Sequence, residues 1–90
     1  GVKEYEGNYS GDKQDGLWTW WFENGNKRLE EQYVLGKNHG SYTRWHDDGT
    51  LEREGQFTDG TASGIWTYYN QDGSCWYRWD YATGEYLDCP

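Results

Sequence analysis

The groups in this chain able to do chemistry are two histidines, two cysteines and sixteen carboxylates. His46-Asp47-Asp48 has the residue types of a metal-ligand run, and carboxylate pairs are the working parts of glycoside hydrolysis. No Ser-His-Asp grouping, phosphate-cradling glycine loop or zinc spacing accompanies them. No acid stands out as sequestered. Cys75 and Cys89 admit three states: an intrachain disulfide, free thiols, or a bond to a neighbouring chain. Whether any of these groups forms a site depends on the elements that carry them.

Those elements repeat. Gly16-Leu-Trp-Thr-Trp-Trp, Gly40-Ser-Tyr-Thr-Arg-Trp and Gly64-Ile-Trp-Thr-Tyr-Tyr stand 24 residues apart. Glu23-Asn24-Gly25, Asp47-Asp48-Gly49 and Gln71-Asp72-Gly73 keep the same step, as do Tyr9, Tyr33, Phe57 and Tyr81. Gly1 falls in phase with Gly25, Gly49 and Gly73. Self-similarity at a fixed period of this length is the signature of a repeat architecture. Asp47-Asp48-Gly49 is thereby a turn of the repeat, and His46 stands at its edge. Catalysis finds no support, and no cofactor or metal is expected.

Each unit reads as two strands and two turns. Asn-Gly and Asp-Gly between β-formers signal type I′ hairpins, whose central residues both need positive φ. The second turn of each unit, such as "LGKNHG", carries two glycines and reads as longer. Segments 27–34, 41–46, 50–57, 65–70 and 75–82 are rich in Tyr, Trp, Thr and Phe, with no helical period. The expectation is an all-β fold: a single-layer, elongated, twisted antiparallel meander of about seven strands and three and a half repeats. One domain, 1–90, divides into units near 1–24, 25–48, 49–72 and 73–90. In this phase Cys75 and Cys89 open successive strands from opposite ends, about 23 Å apart, beyond the roughly 7 Å reach of a disulfide. An intrachain bridge then needs the tail to fold back.

Composition sets the chemistry of the surface. Only 33% of residues are apolar, yet 20% are aromatic, including seven Trp and nine Tyr. Rings that bury large areas can replace aliphatic residues in a core. The net charge of −8 lacks the basic footprint of a nucleic-acid binder and disfavours anionic lipid, but suits a basic protein. No apolar run reaches transmembrane length, so direct membrane insertion is not expected. A chain opening on glycine reads as a processed or excised piece. The compartment is left open, with an extracellular or cell-surface place favoured.

The pattern G-x-W/Y-T-x-W/Y-x-x-x-G, with Y/F eight residues after the turn glycine, resembles the membrane occupation and recognition nexus (MORN) repeat. It is most similar to the variant in YwqK-family bacterial antitoxins, over essentially the whole chain. The structural glycines on which this rests are Gly16, Gly25, Gly40, Gly49, Gly64 and Gly73. Asp88 departs from the last glycine, and "SCWYRWDY" departs as a modified cap. The resemblance implies a toxin-neutralising, protein-binding role.

Aromatics at fixed phase, including Trp18 and Trp21, are read as scaffold. Those that do not recur are the candidate interaction surface: Trp20, Phe22, Trp76 and Trp79. An exposed aromatic patch marks an interaction site. The expected function is a non-catalytic protein-binding module, of antitoxin or immunity type, with a basic partner. An alternative is an extracellular filament or oligomer built from copies of the chain by edge-strand stacking, with Cys89 at the junction. A further alternative is glycan binding through the unpaired tryptophans.

Overall fold

A computed structural model describes residues 4–90 and contains eight strands in one antiparallel sheet. In chain order they are β1 (Tyr5–Ser10), β2 (Lys13–Trp21), β3 (Lys27–Val34), β4 (Lys37–Trp45), β5 (Leu51–Thr58), β6 (Thr61–Tyr69), β7 (Cys75–Asp80) and β8 (Glu85–Leu87). Each strand pairs with its sequence neighbour, so spatial order equals chain order. Among the described residues there is no helix. The extents of 41 × 31 × 13 Å are those of a single layer. Gly1, read in the sequence as a turn glycine, lies outside the described residues.

The meander matches expectation, but the two kinds of turn are exchanged. Leu35 and Gly36 both have positive φ (47° and 88°), as do Asp59 and Gly60 (49° and 85°). These are two-residue links with the φ pattern of type I′, closing Val34↔Lys37 and Thr58↔Thr61. The Asn-Gly and Asp-Gly sites are instead five-residue links in which only the glycine is left-handed (φ 92° at Gly25, Gly49 and Gly73). In each, the glycine N–H donates across the turn, as Gly25 does to the Phe22 carbonyl (3.0 Å). The "longer" turns are therefore short, and β4 and β6 begin four residues earlier than 41 and 65.

Gly40 and Gly64, read as turn residues, lie inside strands where the ladder register shifts. Gly40 has φ 113°, a conformation that favours glycine and accompanies bulges. Leu35 is a non-glycine residue in the same left-handed region, which costs about 1–2 kcal/mol. Asparagine tolerates that region far better. Leu35→Asn is expected to stabilise the fold by about 1 kcal/mol, raising Tm by about 4–8 °C. An unchanged or lowered Tm in a calorimetric scan would contradict the assignment of strain.

The eighth strand was not expected, and it settles the cysteines. β7 ends at Asp80, residues 81–84 turn, and β8 runs back along β7 with Arg78↔Leu87, Trp79↔Tyr86 and Asp80↔Glu85 paired. Cys89 thus returns beside the start of β7, and Cys75–Cys89 is a disulfide with a Cα separation of 5.9 Å. The 23 Å estimate failed because it started the returning strand four residues late. The Arg78 guanidinium donates twice to the Asp88 carbonyl (2.9 and 2.7 Å), pinning the same tail.

Candidate functional site

Pairing across the sheet fixes which side chains share a face. Tyr5↔Trp20, Trp20↔Leu29, Leu29↔Arg44, Arg44↔Arg53, Arg53↔Tyr68 and Tyr68↔Tyr77 form one continuous row over seven strands. Residues two positions away point to the same side, and the aromatic core is built there. Trp18 (2% exposed), Tyr42 (8%) and Trp66 (5%) are its buried members. Trp18 contacts Tyr9 (centroids 5.0 Å) and Tyr5 (5.9 Å). Trp66 contacts Tyr42 (5.0 Å) and Phe57 (5.2 Å). The fixed-phase ring Trp21 is only half-buried, so the two scaffold positions are unequal.

A signal missed in the sequence explains how a single layer buries an indole. A Cβ on Gly7 would lie 2.1 Å from Trp18, and one on Gly55 would lie 2.2 Å from Trp66. Each indole rests on bare backbone, and its Nε1–H donates to a carbonyl of the same neighbouring strand: Trp18 to Asn8 (2.8 Å), Trp66 to Gln56 (3.1 Å). Gly7 and Gly55 are 48 residues apart, with Glu31 between them in phase. Opposite Glu31 stands the smaller Tyr42. The alternation Gly–Trp, Glu–Tyr, Gly–Trp was visible but reads as noise without the geometry.

Trp20, Phe22, Trp76 and Trp79 do not form one patch. Trp20 lies on β2 and Trp79 on β7, five strand spacings or about 24 Å apart. Trp20 packs on Trp18 (6.0 Å). The Phe22 ring is covered by the Arg28 guanidinium (5.9 Å). Trp76 is 65% exposed and edges Tyr77 (5.0 Å). Trp79 joins rings not singled out in the sequence: Tyr86 (4.7 Å) and Tyr81 (6.2 Å).

Those rings line a concavity at the C-terminal end of the sheet. Tyr68, Tyr77, Trp79, Tyr81 and Tyr86 line a pocket of about 180 Å³, open to solvent. Tyr68 stacks on Tyr77 (4.5 Å, 12° between planes), while Tyr86 stands at 71° to Tyr77 and 72° to Trp79. β6, β7 and β8 each contribute a wall. Tyr86 is 72% exposed, and its strand is held by the Cys75–Cys89 bridge.

Several polar groups are occupied in the framework, whereas His46 Nε2 and Arg53 Nε are buried without a hydrogen-bond partner. Asp48 accepts from the Thr50 hydroxyl (2.6 Å), the Thr50 N–H (3.0 Å) and Gln71 (3.1 Å). Led by the Thr50 hydroxyl, these bonds hold its carboxyl down at about 2. His46 approaches Glu52 (4.0 Å), which also meets Arg44 (3.3 Å). His39 lies 3.7 Å from Asp59 at a hairpin tip.

Three phenols resist ionisation. Burial, chiefly, pushes Tyr68 up to about 12. The Tyr69 hydroxyl donates to Glu54 (2.6 Å), which, with burial behind it, raises Tyr69 to about 12. Burial and then its hydrogen bond to Glu31 raise Tyr33 further. Because the folded pKa values exceed the ordinary 10, the fold holds protons that the unfolded chain releases. The stability they contribute is complete below about pH 10 and lost as pH rises through about 12. Tyrosinate absorbance is expected to show a late class ionising together with loss of the circular dichroism of the sheet. Independent titration of every tyrosine near pH 10, with the sheet intact, would contradict this.

A single-layer hairpin sheet with rings in 24-residue phase defines a non-globular repeat protein that presents a broad face. Residues 14–34 and 38–59 each match the family model described as MORN repeat variant. The chain is a MORN-type repeat protein, each matched stretch covering a long strand, its five-residue turn and the next strand. MORN repeats are generally modules of protein or membrane interaction. No curated protein and no solved structure matches the chain. No helix among the described residues is long and apolar enough to cross a membrane.

Proposed function

We propose that this protein is a non-catalytic protein-binding module and that the C-terminal end of its aromatic face is the contact surface. The observation that carries this reading is the open five-ring pocket. Tyr and Trp are the residues that most often anchor interfaces. The partner is a basic protein: the chain has a net charge of −8, and residues 79–90 hold Asp80, Glu85 and Asp88 with no Lys or Arg. Steering by opposite charge speeds encounter and selects partners. A toxin-neutralising role, as the resemblance to YwqK-family antitoxins implies, is one form of this function. The disulfide suits an oxidising compartment. Edge-strand assembly has less to rest on, since β8 pairs over only three residues and Cys89 is engaged within the chain.

The test is calorimetric titration with an arginine-rich polypeptide, an acidic polypeptide of equal length and a panel of neutral oligosaccharides. Binding of the basic polypeptide alone, weakening steeply between 50 and 500 mM salt, is the expected result. Salt-insensitive binding of an oligosaccharide would replace this reading with the glycan one. Indifference to the basic polypeptide would remove it.

A further inference from the structure

The geometry points to the pocket of Tyr68, Tyr77, Trp79, Tyr81 and Tyr86 as a receptor for one arginine side chain of the partner. This rests on the protein-binding reading and deepens it. All five lining residues are aromatic, and ring faces attract cations through their quadrupoles. Tyr77 and Tyr86, and Trp79 and Tyr86, meet at 71° and 72°, so the pocket presents faces and edges around one opening. Four of the five residues are tyrosines. Their hydroxyl oxygens can accept the N–H groups that a guanidinium presents in its fixed fork.

Arginine is favoured over lysine by the chemistry of its head group. Its planar, weakly hydrated head stacks on rings, whereas the ammonium of lysine is compact and strongly hydrated. Cations already lie over rings elsewhere in the chain: the Arg53 guanidinium over Tyr42 (5.8 Å), Arg28 over Phe22 (5.9 Å) and the Lys27 ammonium over Trp45 (6.0 Å). Charge agrees, because the β7–β8 hairpin bears Asp80 and Glu85 with Asp88 just beyond, against one cation, Arg78, whose guanidinium is turned to the Asp88 carbonyl. Arg53 pairs with Tyr68 across the ladder, so it is the cation that opposes an incoming one.

The experiment titrates the oxidised protein with N-acetyl-arginine amide, its lysine counterpart and phosphocholine, followed by the Trp79 indole resonance. Saturable arginine binding is expected, at least fivefold tighter than lysine. Tyr86→Ser should weaken it at least tenfold. Because Tyr86 is largely exposed, that variant keeps its fold, which its unchanged Tm will verify. Arg53→Gln should tighten binding severalfold, and Trp20→Leu, on β2, should leave it unchanged. No saturable response, an undiminished one in Tyr86→Ser, or tighter binding of phosphocholine would each overturn the assignment. If the arginine-rich polypeptide still binds while the single arginine derivative does not, the pocket fails and the binding face stands. Loss of both defeats both readings.

Discussion

Gly55→Ala is expected to lower Tm by roughly 4–24 °C, and Gly55→Val to abolish the folded state. The backbone at Gly55 does not require glycine, for its φ is not left-handed. Contact does: an added Cβ would fall within 2.5 Å of three atoms of the Trp66 indole. That ring has nowhere to go. It is held by its Nε1–H bond to Gln56 and enclosed by Tyr42, Phe57 and Tyr81. Overpacking costs about 1–3 kcal/mol, and each kcal/mol moves Tm by about 4–8 °C in a domain of this size. Expelling the ring instead forfeits about 3–5 kcal/mol of its burial, a large part of a total of about 5–15 kcal/mol.

The chain contains its own rescue. At the equivalent place in the preceding unit, Glu31 coexists with Tyr42. Gly55→Ala combined with Trp66→Tyr should therefore recover much of the loss, a coupling readable from a double-mutant cycle. Additive damage, with no recovery, would show that the indole is not what excludes a side chain at 55.

The second large effect is local. Reducing Cys75–Cys89, or replacing both by serine, is expected to cost about 3 kcal/mol for a loop of this length. The loss should concentrate at the C-terminal end. β8 pairs over three residues only, so without the bridge its amides have few bonds to keep them. Hydrogen exchange should show β8 and Cys75–Asp80 losing protection while β2–β6 retain theirs. Tyr86 would leave the pocket, and arginine binding would fall with it. Uniform loss of protection along the whole sheet would contradict this picture, as would full binding by the reduced protein.

What was legible in the sequence follows from how each feature is encoded. The 24-residue step of Gly16, Gly40 and Gly64, with the Thr19, Thr43 and Thr67 series, is redundant. It yields the meander, the strand order and the family. The turn types were misread because Asn-Gly is the stronger hairpin pattern, whereas Leu35-Gly36 places an unsuited residue at positive φ. That exchange displaced the starts of β4 and β6, and the same displacement hid β8 and the disulfide.

The site was legible only in part. Trp76 and Trp79 stood out because they break the repeat, but so did Trp20 and Phe22, which the sheet uses as packing at its other end. Tyr81 looked like an ordinary repeat member, and Tyr68 shares the varying position of Trp20 and Arg44. They acquire a different role because β8 brings Tyr86 back over β7, a consequence of topology that residue spacing does not express.

The most direct test of the binding face uses the seven tryptophan indole N–H resonances as position markers during titration with an arginine-rich polypeptide. Trp79 and Trp76 should shift. Trp18 and Trp66, buried and bonded to the carbonyls of Asn8 and Gln56, should stay in place, as should Trp20, Trp21 and Trp45. Shifts confined to Trp20 and Trp21, with Trp79 unmoved, would place binding on β2 and contradict a C-terminal aromatic site.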